Sequence, residues 1–190
     1  GPLTLILEKK ESSTICPELS NNKNFVGCRI PNHPIALQLL KKLDFPIAAP
    51  SANISTQLSS TKVNHLSNIL KNKIFTIDGG TSNFGLESTV IFTANKNTKI
   101  LRLGSITTEQ IKEIVPKFTI KNNNSSFKLS PGQQKKHYSP NLPLRMNANE
   151  VFKGEALLNF GYNNLKSSTI ELNLSLDGNL KEAAKNFYDY

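Results

Sequence analysis

The sequence lacks tryptophan and has only two cysteines and one methionine among its 190 residues. Cys16 and Cys28 form no Cys-x-x-Cys pair, and the three histidines stand apart from them and from each other. This arrangement matches no zinc-binding pattern, so no side-chain metal site is expected. So few cysteines suit a reducing compartment, and we therefore expect a cytoplasmic protein.

Long apolar runs are also absent. No stretch of about 18 apolar residues is present to cross a bilayer, and no charged segment precedes an apolar one in the manner of a signal peptide. We therefore expect no membrane partner. The sequence opens within a strand-like pattern, "GPLTLIL", without an initiator methionine, and an upstream segment is expected.

Acidic residues are scarce, with 14 Asp and Glu against 23 Lys and Arg, which gives a net charge of +9. A positive charge of this size favours contact with nucleic acid. Only three of the basic residues are arginine, however, and the lysines are spread along the chain without a compact block of like charges. The charge therefore permits contact with tRNA or other RNA and does not establish it.

Glycine-rich phosphate loops are missing as well. Neither G-x-G-x-x-G nor the Walker A pattern occurs in the sequence. A ligand that carries phosphates would therefore have to be held by side chains and by backbone amides at the ends of strands.

What the sequence does contain is an alternation of strand and helix patterns, which is typical of an α/β domain. Helices are predicted over 34–43, with Pro34 at the first position, over about 61–71, and from the capping box of Thr107 and Gln110 through Val115. Strands are predicted over six short segments, 3–7, 25–30, 45–49, 74–78, 88–92 and 99–103.

The alternation stops over residues 118–142, which are polar and show no period. This segment is predicted to be a linker, and its part 128–140 is predicted to act as a lid in which Tyr138 covers the site; a plain interdomain tether is the alternative. Residues 143–190 then read as the start of a small C-terminal α/β domain, with strands at 155–161 and 168–174 and a helix at 179–190. This domain is expected to be incomplete.

Polar groups recur at the ends of predicted strands. In "FPIAAPSANIST", Pro50 ends an apolar segment, and Ser51 and Asn53 follow it. Ligands bind at this position in open α/β sheets, although an ordinary turn would use the same residues. Arg29 and Arg102 also stand at strand ends, where a guanidinium could bind a phosphate through two parallel hydrogen bonds or form a surface ion pair.

No catalytic acid, base or nucleophile can be assigned from the residues. No Ser-His-Asp or Cys-His pairing can be inferred from the sequence. Glu87 and Asp78 are as compatible with turn or capping roles as with proton transfer.

Four stretches taken in order, "VGCRIPNHP", "PIAAPSANIST", "ESTVI" and "ILRLGSIT", together with "SPGQQKKHYSP", resemble the L-threonylcarbamoyl-AMP synthase family, YrdC-like, in its long two-domain form. The resemblance implies a twisted mixed sheet flanked by helices. It makes residues 1–117 the C-terminal part of the catalytic domain, 118–142 a linker, and 143–190 the start of a Rossmann-like C-terminal domain.

The resemblance implies a nucleotidyltransferase. Members of the family make L-threonylcarbamoyladenylate from ATP, bicarbonate and L-threonine, release pyrophosphate, and supply the threonylcarbamoyl modification of tRNA. It implies Mg²⁺ as the companion of ATP, which needs no dedicated protein cage. The positions that match the family's functional residues are Ser51, Asn53, Ser59, Arg29 and Arg102 for the nucleotide, Ser88 for the threonyl-carbamoyl side and Tyr138 for the lid.

The sequence departs from the family pattern in several places, among them "QQKKHY" at the start of the linker motif and a threonine-pocket segment that is absent upstream. Leu103 stands where the family has a proline, Thr56 stands where it has a glycine, and a Lys-x-Arg segment upstream of "GPLTL" is absent from the printed sequence. We therefore expect a complementing N-terminal segment to be required and the isolated chain not to catalyse. The alternatives are an RNA-binding module of the same fold without catalysis and a degenerate fragment without function.

Overall fold

The computed structural model describes residues 1–20, 24–54, 57–94, 97–116, 118 and 142–190. These residues form two compact units. The first, here called the sheet unit, combines Gly1–Pro50 with Glu87–His137. The second, here called the loop unit, combines Ser51–Leu86 with Tyr138–Tyr190.

The sheet unit is built on four strands. They are β1 (Leu3–Glu8), β2 (Phe25–Cys28), β3 (Thr89–Ala94) and β4 (Asn97–Arg102), in the spatial order β2-β1-β3-β4. β1 and β3 are parallel, whereas the β1–β2 and β3–β4 pairs are antiparallel. The sheet is therefore mixed, because a parallel pair at its centre is extended on both sides by antiparallel strands.

The described part of the sheet unit also holds two α-helices and a 3₁₀ turn at Pro17–Ser20. Helix α1 (Pro34–Leu40) begins with its proline, which needs no intrahelical hydrogen bond at that position. The third α-helix in chain order, α3 (Thr108–Ile114), begins at the predicted capping box of Thr107 and Gln110. Its Ile111 packs with Ile91 and Phe118 in the buried core beneath the sheet.

The loop unit holds the remaining elements. These are a 3₁₀ turn (Val63–His65), helix α2 (Asn68–Lys71), strands β5 (Leu157–Asn159) and β6 (Glu171–Asn173), and helix α4 (Leu180–Asn186). β5 and β6 form a parallel pair, and the Asn179 side chain caps α4 by accepting hydrogen bonds from two backbone amides. Strands and helices thus occur in both units, and the predicted α/β class with a mixed sheet is confirmed.

The helix predicted over 61–71 is wrong in its extent. Leu66 adopts an extended backbone conformation and separates the 3₁₀ turn from the four-residue α2. Ser67 accepts a hydrogen bond from Leu70 N and so begins a new helix. Here the tendency of serine to cap a helix outweighs the apolar spacing of Val63, Leu66 and Leu70.

The strands predicted over 45–49 and 74–78 are also wrong, since neither segment pairs with another strand in the part of the chain that the structure describes. Their apolar side chains remain exposed, and Phe75 keeps 92% of its surface accessible. The physical reason is that an apolar run favours burial but supplies no partner backbone, and a strand is stable only beside one.

The described helices are all short. None of them combines the length and the apolar character that crossing a membrane would need.

Candidate functional site

Three of the predicted site residues gather at one end of the sheet. Arg102 is the last residue of β4 and pairs with Val90 of β3, and Ser88 directly precedes β3. Cys28, the last residue of β2, pairs with Leu5 of β1, so Arg29 follows at the same end. This end is the start of the parallel strands β1 and β3, because their antiparallel neighbours finish there.

The Arg102 guanidinium is held by the segment that precedes β3. Its Nε donates to the Ser88 carbonyl oxygen at 3.0 Å, and its Nη2 donates to the Ser88 hydroxyl at 3.1 Å. Its Nη1 forms an ion pair with the Glu87 carboxylate. The side chains of Arg102 and Glu87 are each only 19% exposed, so the pair lies largely away from solvent.

The Ser88 hydroxyl is also in contact with β1. It lies 2.8 Å from the Thr4 hydroxyl, so either residue can act as the donor. Ser88 is therefore bonded to β1 through its side chain and to the end of β4 through Arg102. The sequence motif "ESTV" pointed to Ser88, but Glu87 and Thr4 were not identified as its neighbours.

The backbone around Ser88 is fixed from below by Thr89, which is fully buried. The Thr89 hydroxyl donates to the Ile106 carbonyl oxygen at 2.6 Å and accepts from the amides of Gly104 and Ile106, both at 3.1 Å. This hydroxyl thus binds the chain that follows β4 to the chain that begins β3. The signal in the sequence was a threonine at the start of a strand, which on its own reads as an ordinary β-former.

The charges at this end of the sheet favour an anion. Arg29 is exposed directly after β2, whereas Arg102 is already paired with Glu87. With β1 and β3 between them, the backbones of β2 and β4 lie about 14 Å apart, a gap that two extended arginine side chains can narrow. An anionic ligand would have to compete with Glu87 for Arg102, whereas no ion pair of Arg29 is present among the described residues.

The predicted nucleotide residues Ser51, Asn53 and Ser59 belong to the loop unit. The Asn53 side chain closes this loop, since its Nδ2 donates to the carbonyl oxygens of Ile54 at 3.0 Å and Gln57 at 2.8 Å. Asn53 N also donates to Ser51 O at 2.9 Å. Ser51 itself is exposed, and Ser59 is half-buried.

Asn53 retains one unused acceptor. Its Oδ1 is buried and has no hydrogen-bond partner among the described residues. A buried acceptor without a partner costs free energy, so a ligand that donates to it would recover that cost.

The predicted lid and the possibility of a side-chain metal site remain to be compared with the structure. Tyr138 and the rest of the predicted lid, 128–140, lie outside the described residues. Among the residues that are described, no three His, Cys, Asp or Glu side chains cluster as a metal site.

Comparison with known families divides the chain into two consecutive matches. Residues 1–104 match the Sua5, YciO and YrdC family model, described as "Telomere recombination". Residues 106–190 match the model for the C-terminal domain of threonylcarbamoyl-AMP synthase, Sua5_C. The first match alone covers more than half of the chain.

Characterised relatives carry the same description. The chain is 38% identical over 148 residues to the threonylcarbamoyl-AMP synthase of Bacillus subtilis, a match over 76% of this chain and 42% of that protein. It is 36% identical over 146 residues to the synthase of Pyrococcus abyssi, over 74% of this chain and 42% of that protein. The chain therefore spans less than half the length of these relatives.

A solved structure has the same fold. The crystal structure of P. abyssi Sua5 complexed with L-threonine superposes on all of this chain with a TM-score of 0.78 and 27% identity. The match covers 60% of that chain. The fold implied by the sequence resemblance is thus confirmed over the residues compared.

Proposed function

The chain belongs to the threonylcarbamoyl-AMP synthase family, and from this membership we propose that it contributes to the synthesis of L-threonylcarbamoyladenylate. The substrates are ATP, bicarbonate and L-threonine, and pyrophosphate is released. The threonine amine and bicarbonate form a carbamate with loss of water, and a carbamate oxygen attacks the α-phosphorus of ATP as the bond to pyrophosphate breaks. Because the chain covers only part of its relatives, the whole reaction is proposed for the chain together with a complementing upstream segment.

The observation that carries this proposal is the pair of family matches in one chain, 1–104 and then 106–190. The arrangement of Arg102 and Ser88 at one end of the sheet supports it. A guanidinium at that point is suited to neutralising phosphate charge, and a neighbouring hydroxyl is suited to the threonyl-carbamoyl group. P. abyssi Sua5 was solved with L-threonine bound, which supports threonine as a substrate here.

In this proposal the protein works mainly by positioning its substrates. Ser51, Asn53 and Ser59 bind the adenylate, and the unused Asn53 Oδ1 offers an acceptor for it. Arg29 and Arg102 bind the phosphates, and Ser88 orients the carbamate. Such alignment lowers the barrier without a covalent step through the protein.

Mg²⁺ is proposed as the companion of the ATP phosphates. Mg²⁺ in such sites is held by one or two carboxylates together with phosphates and water, so a cluster of three protein ligands is not required. Its contribution would be to neutralise the charge of the departing pyrophosphate.

The product is proposed to serve tRNA modification in the cytoplasm. Both cysteines are free and exposed, which suits a reducing compartment. The net charge of +9 also favours weak contact with tRNA. A contact of this kind should weaken steeply as salt rises, and an affinity for tRNA that is independent of salt would exclude it.

The proposed reaction is tested by incubating the protein with ATP, bicarbonate and threonine. Pyrophosphate release should require all three, and mass spectrometry should detect threonylcarbamoyl-AMP. Because the isolated chain is expected not to catalyse, it is compared with a longer protein that includes it. RNA binding without nucleotide binding in both would favour the RNA-binding alternative, and a non-cooperative melt would favour the degenerate fragment.

In a protein completed with the upstream segment, Asn53→Ala is expected to weaken ATP binding by about 1–3 kcal/mol, since the variant loses the free acceptor and the hydrogen bonds that shape the loop. Calorimetry measures the affinity. Asn164→Ala, which changes an exposed asparagine of the same unit, is the matched control and should leave affinity unchanged. Equal affinities for both variants and the unmodified chain would remove Asn53 from the site.

A further inference from the structure

Asp189 joins two parts of the loop unit that are distant in sequence. Its Oδ1 accepts a hydrogen bond from the Thr61 hydroxyl at 3.2 Å, across 128 residues. The same oxygen lies 2.8 Å from Lys62 Nζ and 3.5 Å from His65 Nε2. We call Thr61, Lys62, His65 and Asp189 the Asp189 cluster.

The cluster lies directly beside the candidate nucleotide loop, whose described residues are 51–54 and 57–60. Thr61 is only 5% exposed, its carbonyl oxygen accepts from Ser82 N at 2.8 Å, and its hydroxyl lies 3.1 Å from His65 Nδ1. The preceding residue, Ser60, donates its hydroxyl to the Ala52 carbonyl oxygen at 2.8 Å. The base of the loop is therefore closed by Ser60 and fixed at Thr61.

The position of Asp189 is itself fixed by the last strand and helix. Its backbone amide donates to the Asn186 carbonyl oxygen at 2.9 Å, just past α4. The Asn186 side chain donates to the Leu174 carbonyl oxygen at 2.9 Å, just past β6. A continuous series of contacts thus runs from β6 through α4 and Asp189 to the base of the loop.

We propose that Asp189 is a positioning residue for the nucleotide loop, through which the segment from β6 to Asp189 controls how tightly the loop holds the adenylate. The assignment of a nucleotide to this loop rests on the proposed function; the mechanical role of Asp189 does not. With the carboxylate in place, Thr61 and the base of the loop at Ser60 are held before the ligand arrives. Preorganisation of this kind raises affinity because less ordering remains to be done on binding.

The charge of Asp189 is required for this role. The hydrogen bond from Lys62, followed by that from Thr61 and the charges of Lys62 and His65, holds the pKa of Asp189 below its ordinary value of 3.8. A carboxylate with a lowered pKa stabilises the folded state fully above its unfolded pKa, and this contribution is lost as the pH falls through the folded pKa. The effect of Asp189 on the loop should therefore be complete at neutral pH and should fade below pH 3.8.

Hydrogen exchange tests the mechanical role without any nucleotide. In the full chain, Asp189→Asn should speed amide exchange within residues 51–60 about tenfold at neutral pH, the effect of losing charge-assisted bonds. Asp177→Asn, at an exposed position of the same unit, is the matched control and should change nothing there. The difference between Asp189→Asn and the unmodified chain should shrink in acid.

Two further variants separate positioning from general destabilisation. Thr61→Val removes the hydroxyl and keeps the shape, so its effect on exchange should not add to that of Asp189→Asn. Asp189→Glu should restore part of the protection because the charge is kept. Unchanged exchange in residues 51–60 for both Asp189→Asn and Thr61→Val would overturn the proposal, as would an equal increase across every segment of the unit.

Nucleotide affinity then distinguishes the two proposals. If the unmodified protein binds ATP, Asp189→Asn should raise its Kd about tenfold while Asp177→Asn leaves it unchanged, and equal Kd values would overturn the role of Asp189 in binding. If a longer protein that also carries the upstream segment binds no ATP while exchange responds as expected, the proposed function fails and the positioning of the loop by Asp189 stands.

Discussion

Replacing Arg102 by alanine is expected to lower the free energy of unfolding of the sheet unit by about 2–4 kcal/mol. The variant leaves the Glu87 carboxylate without its cationic partner in a site that is only 19% exposed. It also removes the hydrogen bonds that the Ser88 carbonyl and hydroxyl oxygens accept. Urea unfolding monitored by circular dichroism measures the loss.

Three companion variants identify its cause. Arg102→Lys keeps the charge but cannot bond Glu87 and Ser88 with one planar group, so it should recover only part of the loss. Glu87→Gln alone should cost less than Arg102→Ala, because it leaves no half-buried carboxylate without its ionic partner. In the double variant Arg102→Ala with Glu87→Gln, the two costs should not add; additive costs would mean that the ion pair does not carry the effect.

The same residue is expected to matter for the proposed reaction. If Arg102 binds a phosphate, Arg102→Lys should reduce turnover in a protein competent for the whole reaction, since the lysine acts only as a point charge. Arg145→Lys, which changes an arginine of the loop unit, is the control. Full activity of Arg102→Lys would assign Arg102 a structural role, in which it binds Glu87 and Ser88.

Local patterns made much of the fold predictable from the sequence. The capping box at Thr107 and Gln110 is built from residues three positions apart, and both of its hydrogen bonds are present. Pro34 begins α1 for the equally local reason that it lacks an amide hydrogen. β1 and β3 contain β-branched residues and pair side by side at the centre of the sheet.

Long-range pairing could not be predicted in the same way. The segments 45–49 and 74–78 have the composition of buried strands, yet no described segment pairs with them. The composition of a segment indicates that its side chains favour burial, but it does not indicate which other strand will pair with the segment. The predicted helix over 61–71 is interrupted at Leu66 and Ser67, because a serine cap competes with the apolar spacing at the same place.

The candidate site shows a similar division. Arg102 and Ser88 could be named as candidates, because an uncommon arginine stands at a strand end and Ser88 lies in a stretch that resembles the family motif. Their partners Glu87 and Thr4 could not, since Thr4 is 84 residues from Ser88 and meets it only once β1 and β3 are adjacent. Whether a predicted ligand-binding group is free or already bonded within the protein is thus a property of the fold.

Gly104→Ala is expected to destabilise the sheet unit by about 3 kcal/mol or more, the upper range for overpacking. A Cβ at this position would overlap the Glu87 carbonyl oxygen and would lie 2.6 Å from Thr89 N. Both atoms belong to the backbone, so no side chain can turn aside to make room. The segment 87–89 would have to move. This movement would break the hydrogen bond from the Gly104 backbone amide to the Thr89 hydroxyl and would displace Ser88 from Arg102.

Gly27→Ala is the matched control for this prediction. A Cβ on Gly27 would meet the tip of the Ile6 side chain at 3.3 Å, which a small rotation can relieve. Gly27 lies in β2, an edge strand of the same sheet, so its replacement should cost about 1 kcal/mol or less. Because Gly104 sets the spacing between Thr89 and the end of β4, Gly104→Ala should also weaken any phosphate binding through Arg102, whereas Gly27→Ala should not. Equal unfolding free energies for the two variants would show that the backbone at residues 87–89 can yield, and that Gly104 does not hold Ser88 and Arg102 together.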